Sequence, residues 1–207
     1  MGFETVITAN HFSHFLLTLL LLPKLKAAKG RVVNVSSSLH KLVKKFDFDN
    51  IQFENNFSLF GTYAQSKLAN VLFTFELQRR YASNFGLRPM LSLTNRMEAE
   101  KTGVTANALH PGNVLTEVTR NMNFIMRWGD FLCTPIMLLF RKIRAQGAWT
   151  SIHVATAPEL EGVGGKYFLH CASVPASVAA YDTDAAKKLW EISMRVNFLK
   201  SNYSTQT

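Results

Sequence analysis

Apolar positions along the chain fall into blocks separated by polar, glycine-marked and proline-marked breaks. The spacing from Glu4 to Lys26 predicts a helix packed against a core. Its most apolar part, Phe12 to Leu22, is shorter than the roughly 20 residues a membrane span needs. It also carries His14 and Thr18 and stops at Pro23, so it reads as a buried helix. Gly30 ends a turn, and the β-branched run Arg31 to Ser36 predicts a buried parallel strand. A polar, irregular stretch follows to Gly61. A long helix is then expected from about Tyr63 to Tyr81, with Leu68, Val71, Leu72, Phe75 and Leu77 as its apolar face. Ala82 to Lys101 reads as a linker or insertion. Gly103 to Leu109 predicts a second strand, closed by the turn signal His110-Pro111-Gly112. Thr116 to Ile143 is helical in pieces, and Gln146 to Ala157 is a helix ended by Pro158. Gly164 to Leu169 predicts a third strand. A last helix, capped by Asp182 or Thr183, runs through Met194 and leaves residues 200–207 as a tail. Strands alternating with helices predict an α/β fold with a parallel sheet.

Composition narrows the function classes. With 207 residues, 47% of them hydrophobic and 18% charged, the chain has enough apolar material for a core. The net charge of +9 comes from 23 Lys and Arg against 14 Asp and Glu. The basic residues are scattered, without a stripe interleaved with aromatics, which argues against a nucleic-acid partner. Cys133 and Cys171 are too few and too far apart for a disulfide framework, and the six histidines lack metal-ligand spacing, so no metal is expected. No cleavable signal peptide is evident. A reducing, intracellular setting follows, cytoplasmic or beside an organelle membrane.

The candidate chemistry centres on Tyr63-Ala64-Gln65-Ser66-Lys67. Residues four apart on a helix share a face. A phenol ionises near pH 10 in water, as an approximate reference, and a neighbouring ammonium favours the phenolate. The pair therefore predicts an acid/base near neutral pH; an exposed aromatic beside a solvated lysine is the alternative. Parallel sheets bind ligands at the carboxyl ends of their strands. Ser37 lies at one such end and Pro111 to Thr116 at another, with Tyr63 opening the helix between them.

With these elements in order, the chain resembles the short-chain dehydrogenase/reductase family, in particular its retinol dehydrogenase and WW-domain oxidoreductase branch. The resemblance rests on Asn10-His11-Phe12-Ser13-His14-Phe15-Leu16, Val33-Asn34-Val35-Ser36-Ser37, Tyr63 through Asn70, and His110-Pro111-Gly112-Asn113-Val114-Leu115-Thr116. Pro158 to Gly162 and the following Gly-Gly-Lys-Tyr-Phe extend it over nearly the whole chain. The resemblance implies the C-terminal part of a doubly wound Rossmann fold, about three strands with flanking helices, as a single partial domain. It implies Tyr63 as the acid/base, Lys67 as the group that lowers the Tyr63 pKa and holds the nicotinamide ribose, Ser37 as the holder of the substrate oxygen, and Asn10 as the holder of a water leading to Lys67. Pro111, Gly112, Val114 and Thr116 would line the nicotinamide. The cofactor would be NADP or NAD and the substrate a small apolar alcohol or carbonyl compound. Residues 117–143 match the family's substrate lid, although their methionines and aromatics suit ordinary core equally. Bland readings stay open: Asn10 as a structural helix residue, Ser37 as a strand end, Thr116 as an N-cap, Pro111-Gly112 as a turn only.

The sequence departs from the family where the dinucleotide is held. It contains no Gly-x-x-x-Gly-x-Gly near its N-terminus, and Gly162-Val163-Gly164-Gly165 precedes a strand, as a turn does. Without the first half of the Rossmann unit, the strand at Arg31 would present an unpaired edge, which invites pairing with another chain. Arg80 to Gly103 is longer than the family's usual connection, as an insertion or a splicing product. Two readings follow. One is an oxidoreductase, as a fragment of a longer enzyme or completed by other residues. The other is a non-catalytic binding protein, which allows homo- or hetero-oligomers. An apolar substrate also allows peripheral membrane association.

Overall fold

A computed structural model describes residues 4–55, 57–81, 102–112 and 144–204, with the side chains of 147–197 in the last stretch. The linker at 82–101, the lid at 117–143, Val114 and Thr116 lie outside the described residues. The architecture is mixed α/β, with a four-stranded sheet of order β1-β2-β3-β4 flanked by helices. The strands are β1 (Arg31–Val35), β2 (Thr105–His110), β3 (Tyr167–Leu169) and β4 (Ala172–Val174). β1, β2 and β3 pair in parallel, with Val35 opposite Leu109 and Ala108 opposite Tyr167.

β4 is an addition to the three expected strands and pairs antiparallel with β3. The chain reverses at His170 and Cys171, whose φ angles are 52° and 63°. Two consecutive left-handed residues make the tight turn that hairpin twist prefers. Neither is glycine or asparagine, so the usual sequence signal is missing.

Among the described residues, four α-helices of more than two turns accompany the sheet. Helix α1 spans Thr5–Ala28 and continues through Pro23, where the sequence predicted its apolar part to stop. It has the length and composition of a membrane-crossing helix. Yet Ile7, Phe12, Phe15 and Leu22 are buried in the protein, whereas Leu16, Leu17, Leu20 and Leu21 are exposed. It is thus half buried rather than enclosed. Lys29, with φ 49°, takes the left-handed position at its end, just before Gly30. A π turn at Thr8–Phe12 interrupts the helix. His11, on this turn, is fully buried and pairs with the Ser193 hydroxyl at 2.8 Å.

Helix α2 (Leu59–Tyr81) starts before Tyr63, which therefore sits one turn inside it. It is buried on nearly all sides, between the sheet, α1 and the last helix, α4 (Thr183–Ser204). Several of its polar residues are paired: Thr74 receives Asn34 at 2.8 Å, and Gln78 accepts the Ala106 amide at 2.6 Å. Helix α3 (Arg144–Thr156) packs on β1. α4 begins with Asp182 accepting the amides of Asp184 and Ala185. It runs past Met194 and takes in much of the expected tail.

The Gly162–Gly165 segment is a turn leading into β3, as its position suggested. A Cβ at Gly164 would lie 2.0 Å from Gln78 Oε1, so only glycine allows this close approach. β1 is an edge strand: among the described residues its only neighbour is β2.

Candidate functional site

The parallel register brings the carboxyl ends of β1 and β2 side by side, where the Ser36 amide donates to Leu109 O at 2.7 Å. Ser37 follows β1, and Pro111-Gly112 follows β2. Gly112 has φ 90°, a conformation that favours glycine. α2 crosses this edge with Tyr63, Ser66, Lys67 and Asn70 on one face, at helical spacing.

Ser37 is nearly buried and held from several sides. Its Oγ accepts the Leu39 amide at 3.3 Å, and its carbonyl accepts the His40 amide at 3.1 Å. Its side chain also acts on Tyr63, where it favours the ionised phenol. Lys67 Nζ lies 5.4 Å from the centroid of the Tyr63 ring and donates to Val35 O at 3.3 Å. Asn70 Nδ2 approaches the same carbonyl at 3.4 Å. Asn10 reaches the group indirectly: its Nδ2 donates to Ser66 Oγ at 2.9 Å, and Ser66 donates to Tyr63 O at 2.8 Å. Ser36 turns away and donates to Lys67 O at 2.8 Å.

The electrostatics differ from the sequence expectation. Burial pushes the Tyr63 phenol above its usual value, and the Ser37 side chain only partly opposes this. Burial also lowers the Lys67 ammonium. The expected depression of the Tyr63 pKa by Lys67 is therefore absent: in a partly dry site, desolvation outweighs a charge placed over the ring rather than at the oxygen. At neutral pH this phenol is a proton donor.

Of the expected site residues, Asn10, Ser37, Tyr63 and Lys67 meet in one network, and Pro111-Gly112 lie at the same sheet edge. Asn70, Ser66 and His40 also support this network, but no role was expected for them. The i, i+3, i+4, i+7 spacing from Tyr63 to Asn70 was the signal for the first two. His40 stands outside any pattern.

Compared with known proteins, the chain is 42% identical over 194 residues to retinol dehydrogenase 12 of Mus musculus, covering 93% of this chain and 54% of that protein. Its homologues are retinol dehydrogenases of the short-chain dehydrogenase/reductase family. Retinol dehydrogenase 14 of Homo sapiens is 40% identical over 205 residues, covering 96% of this chain and 54% of its own length. Human polyprenol dehydrogenase is 39% identical over 196 residues, with 91% and 53% covered. The chain thus spans about half the length of the curated relatives it matches. A crystal structure of an uncharacterised protein from Mycobacterium paratuberculosis matches with TM-score 0.57 and 28% identity, over 94% of this chain and 59% of that one. No protein-family model matches the chain. These retinol dehydrogenase homologues are oxidoreductases.

Proposed function

We propose that the chain carries the proton-transfer part of an NAD(P)-dependent oxidoreductase site of the short-chain dehydrogenase type. The substrate class is an apolar alcohol or carbonyl compound of retinoid, steroid or lipid-aldehyde type. The observation that carries this reading is Tyr63 faced by Lys67, which is itself held on Val35 O, at the carboxyl ends of two parallel strands where Ser37 stands. The relatives' names, retinol and polyprenol dehydrogenase, support an apolar alcohol. Such a substrate partitions into membranes, which puts the reaction at or near an organelle membrane inside the cell.

The residues fit one end of a nicotinamide dinucleotide. Lys67 uses one donor on Val35 O and keeps two for a ribose. Gly112 leaves room for a flat ring beside Pro111, and Val114 and Thr116 would extend that contact. No glycine-rich strand-to-helix turn for the pyrophosphate stands near the N-terminus of the sequence, so this grip has to come from other residues. A bound nicotinamide cofactor supplies or accepts the hydride. Ser37 would hold the substrate oxygen. Tyr63 Oη would deliver a proton to that oxygen during reduction and remove one during oxidation. Asn10, through Ser66, would fix the helix turn that carries Tyr63 and hold the water that feeds Lys67. The raised phenol is protonated at neutral pH, the form that can donate to a carbonyl oxygen. Mixing the chain with NADPH deuterated at the transferable position and a long-chain aldehyde tests this. Mass spectrometry is expected to find deuterium at the alcohol carbon; unlabelled aldehyde recovered in full would refute the reading for this chain.

A second reading is a binding protein. It is favoured by the edge of β1, which no other described strand pairs, together with the exposed Leu16, Leu17, Leu20 and Leu21 on α1, whose Phe15 shares a core cluster with Val32 of that strand. An open strand edge flanked by apolar side chains is an association surface. Light scattering should show self-association that Leu17→Glu and Leu20→Glu reverse. An unchanged mass distribution in those variants would remove the reading.

A further inference from the structure

His40 is fully buried and stands directly behind Ser37. Its two ring nitrogens are both engaged, and the partners assign the tautomer. The Ser177 backbone amide points at Nε2 from 3.0 Å and can only donate, so Nε2 is the acceptor. Nδ1 therefore carries the proton and donates to the Ser37 carbonyl at 2.6 Å. The ring also packs on Tyr167 of β3, with centroids 4.8 Å apart. The imidazole thus ties the segment after β1 to the segment before α4, with Ser37 at one end of the tie. Burial holds His40 below its ordinary pKa, in keeping with a neutral ring that accepts from Ser177.

We propose that His40 is a positioning residue for Ser37. Its Nδ1–H anchors the Ser37 carbonyl at 2.6 Å while the Leu39 amide anchors Ser37 Oγ at 3.3 Å, so the backbone and the side chain of Ser37 are held from two sides beside Tyr63. The idea rests on reading Ser37 and Tyr63 as site residues. Its test, however, reads an ionisation rather than turnover, so a chain without activity still decides it.

A fluorinated tyrosine at position 63 has a more acidic phenol, which titrates where the protein stays folded, and fluorine NMR follows it. Ser37→Ala should raise its midpoint, because the Ser37 side chain favours the phenolate. His40→Gln places its amide at the Nε2 position and keeps only the Ser177 contact. His40→Asn places its amide nitrogen at the Nδ1 position and keeps only the Ser37 contact. The midpoint is expected to rise in His40→Gln and to stay in place in His40→Asn. The double variant Ser37→Ala with His40→Gln should titrate like Ser37→Ala alone, since coupled residues are not additive. A merely structural His40 would lower the urea midpoint in both His40 variants and leave the titration alone. An unshifted midpoint in His40→Gln, or a shift that adds in full to that of Ser37→Ala, would overturn the proposal. The two amide variants keep a polar group in the cavity, so the comparison survives if His40→Ala fails to fold.

Discussion

Ser37 Oγ accepts the Leu39 amide at 3.3 Å, and the Ser37 side chain favours the ionised phenol of Tyr63. Losing the Ser37 hydroxyl should slow carbonyl reduction by about a hundredfold, the lower range for a positioned acid–base group. Steady-state rates of Ser37→Ala against the parent chain check this. Far-ultraviolet circular dichroism should be unchanged, because the β1 pairing is unaffected.

Lys67 gives a prediction with opposite signs for stability and activity. Its ammonium is partly buried and its pKa lowered by that burial, so the charge costs the folded state something. Lys67→Met keeps the length and removes the charge. The urea midpoint should rise while the reduction rate falls by roughly a hundredfold or more. A drop in both would mean that the Val35 carbonyl bond outweighs the desolvation.

The buried histidines set the acid limit of the fold. Burial lowers His11 to about 3 and lowers His40 as well. Unfolding returns both to ordinary values, so between those values the unfolded chain binds more protons. Stability must then rise with pH in this window and fall as pH drops below about 6.5, the free-histidine reference. For His11 the loss continues down to about 3. Urea midpoints measured from neutral to acid pH should show this slope, and His11→Phe should flatten it.

Gly164 and Gly162 separate close packing from backbone strain. A Cβ at Gly164 meets Gln78 Oε1, the acceptor of the Ala106 amide, so Gly164→Ala should cost about 1–3 kcal/mol. Gly162 has open space around it but a φ of 71°, so Gly162→Ala should cost only about 1 kcal/mol. Chemical denaturation of both variants gives the ordering.

The sequence revealed the parallel strands as short runs between turn signals: β-branched at Arg31 to Ser36, and mostly apolar at Val104 to Leu109 before His110-Pro111-Gly112. β4 escaped it: Ala172-Ser173-Val174 is short and partly exposed, and its hairpin turn uses His170 and Cys171 instead of glycine. The extent of α1 was legible to within two residues at its C-terminal end, with Pro23 inside it. In the site, Tyr63, Lys67, Ser37 and Asn10 were legible as parts of ordered motifs. The direction of the Tyr63 shift was not, since it depends on how dry the phenol is, and only the packed structure supplies that. His40 was equally invisible, because its role comes from Ser177, far along the chain.

The central claim is that Tyr63 is the proton donor of this site. The most direct test is the single-turnover rate of NADPH oxidation with a long-chain apolar aldehyde, in the parent chain and in Tyr63→Phe. Phenylalanine keeps the ring packing beside Lys67 and removes only the hydroxyl. The account predicts turnover in the parent chain and a loss of at least about a thousandfold in the variant. Equal rates in the two proteins would contradict it.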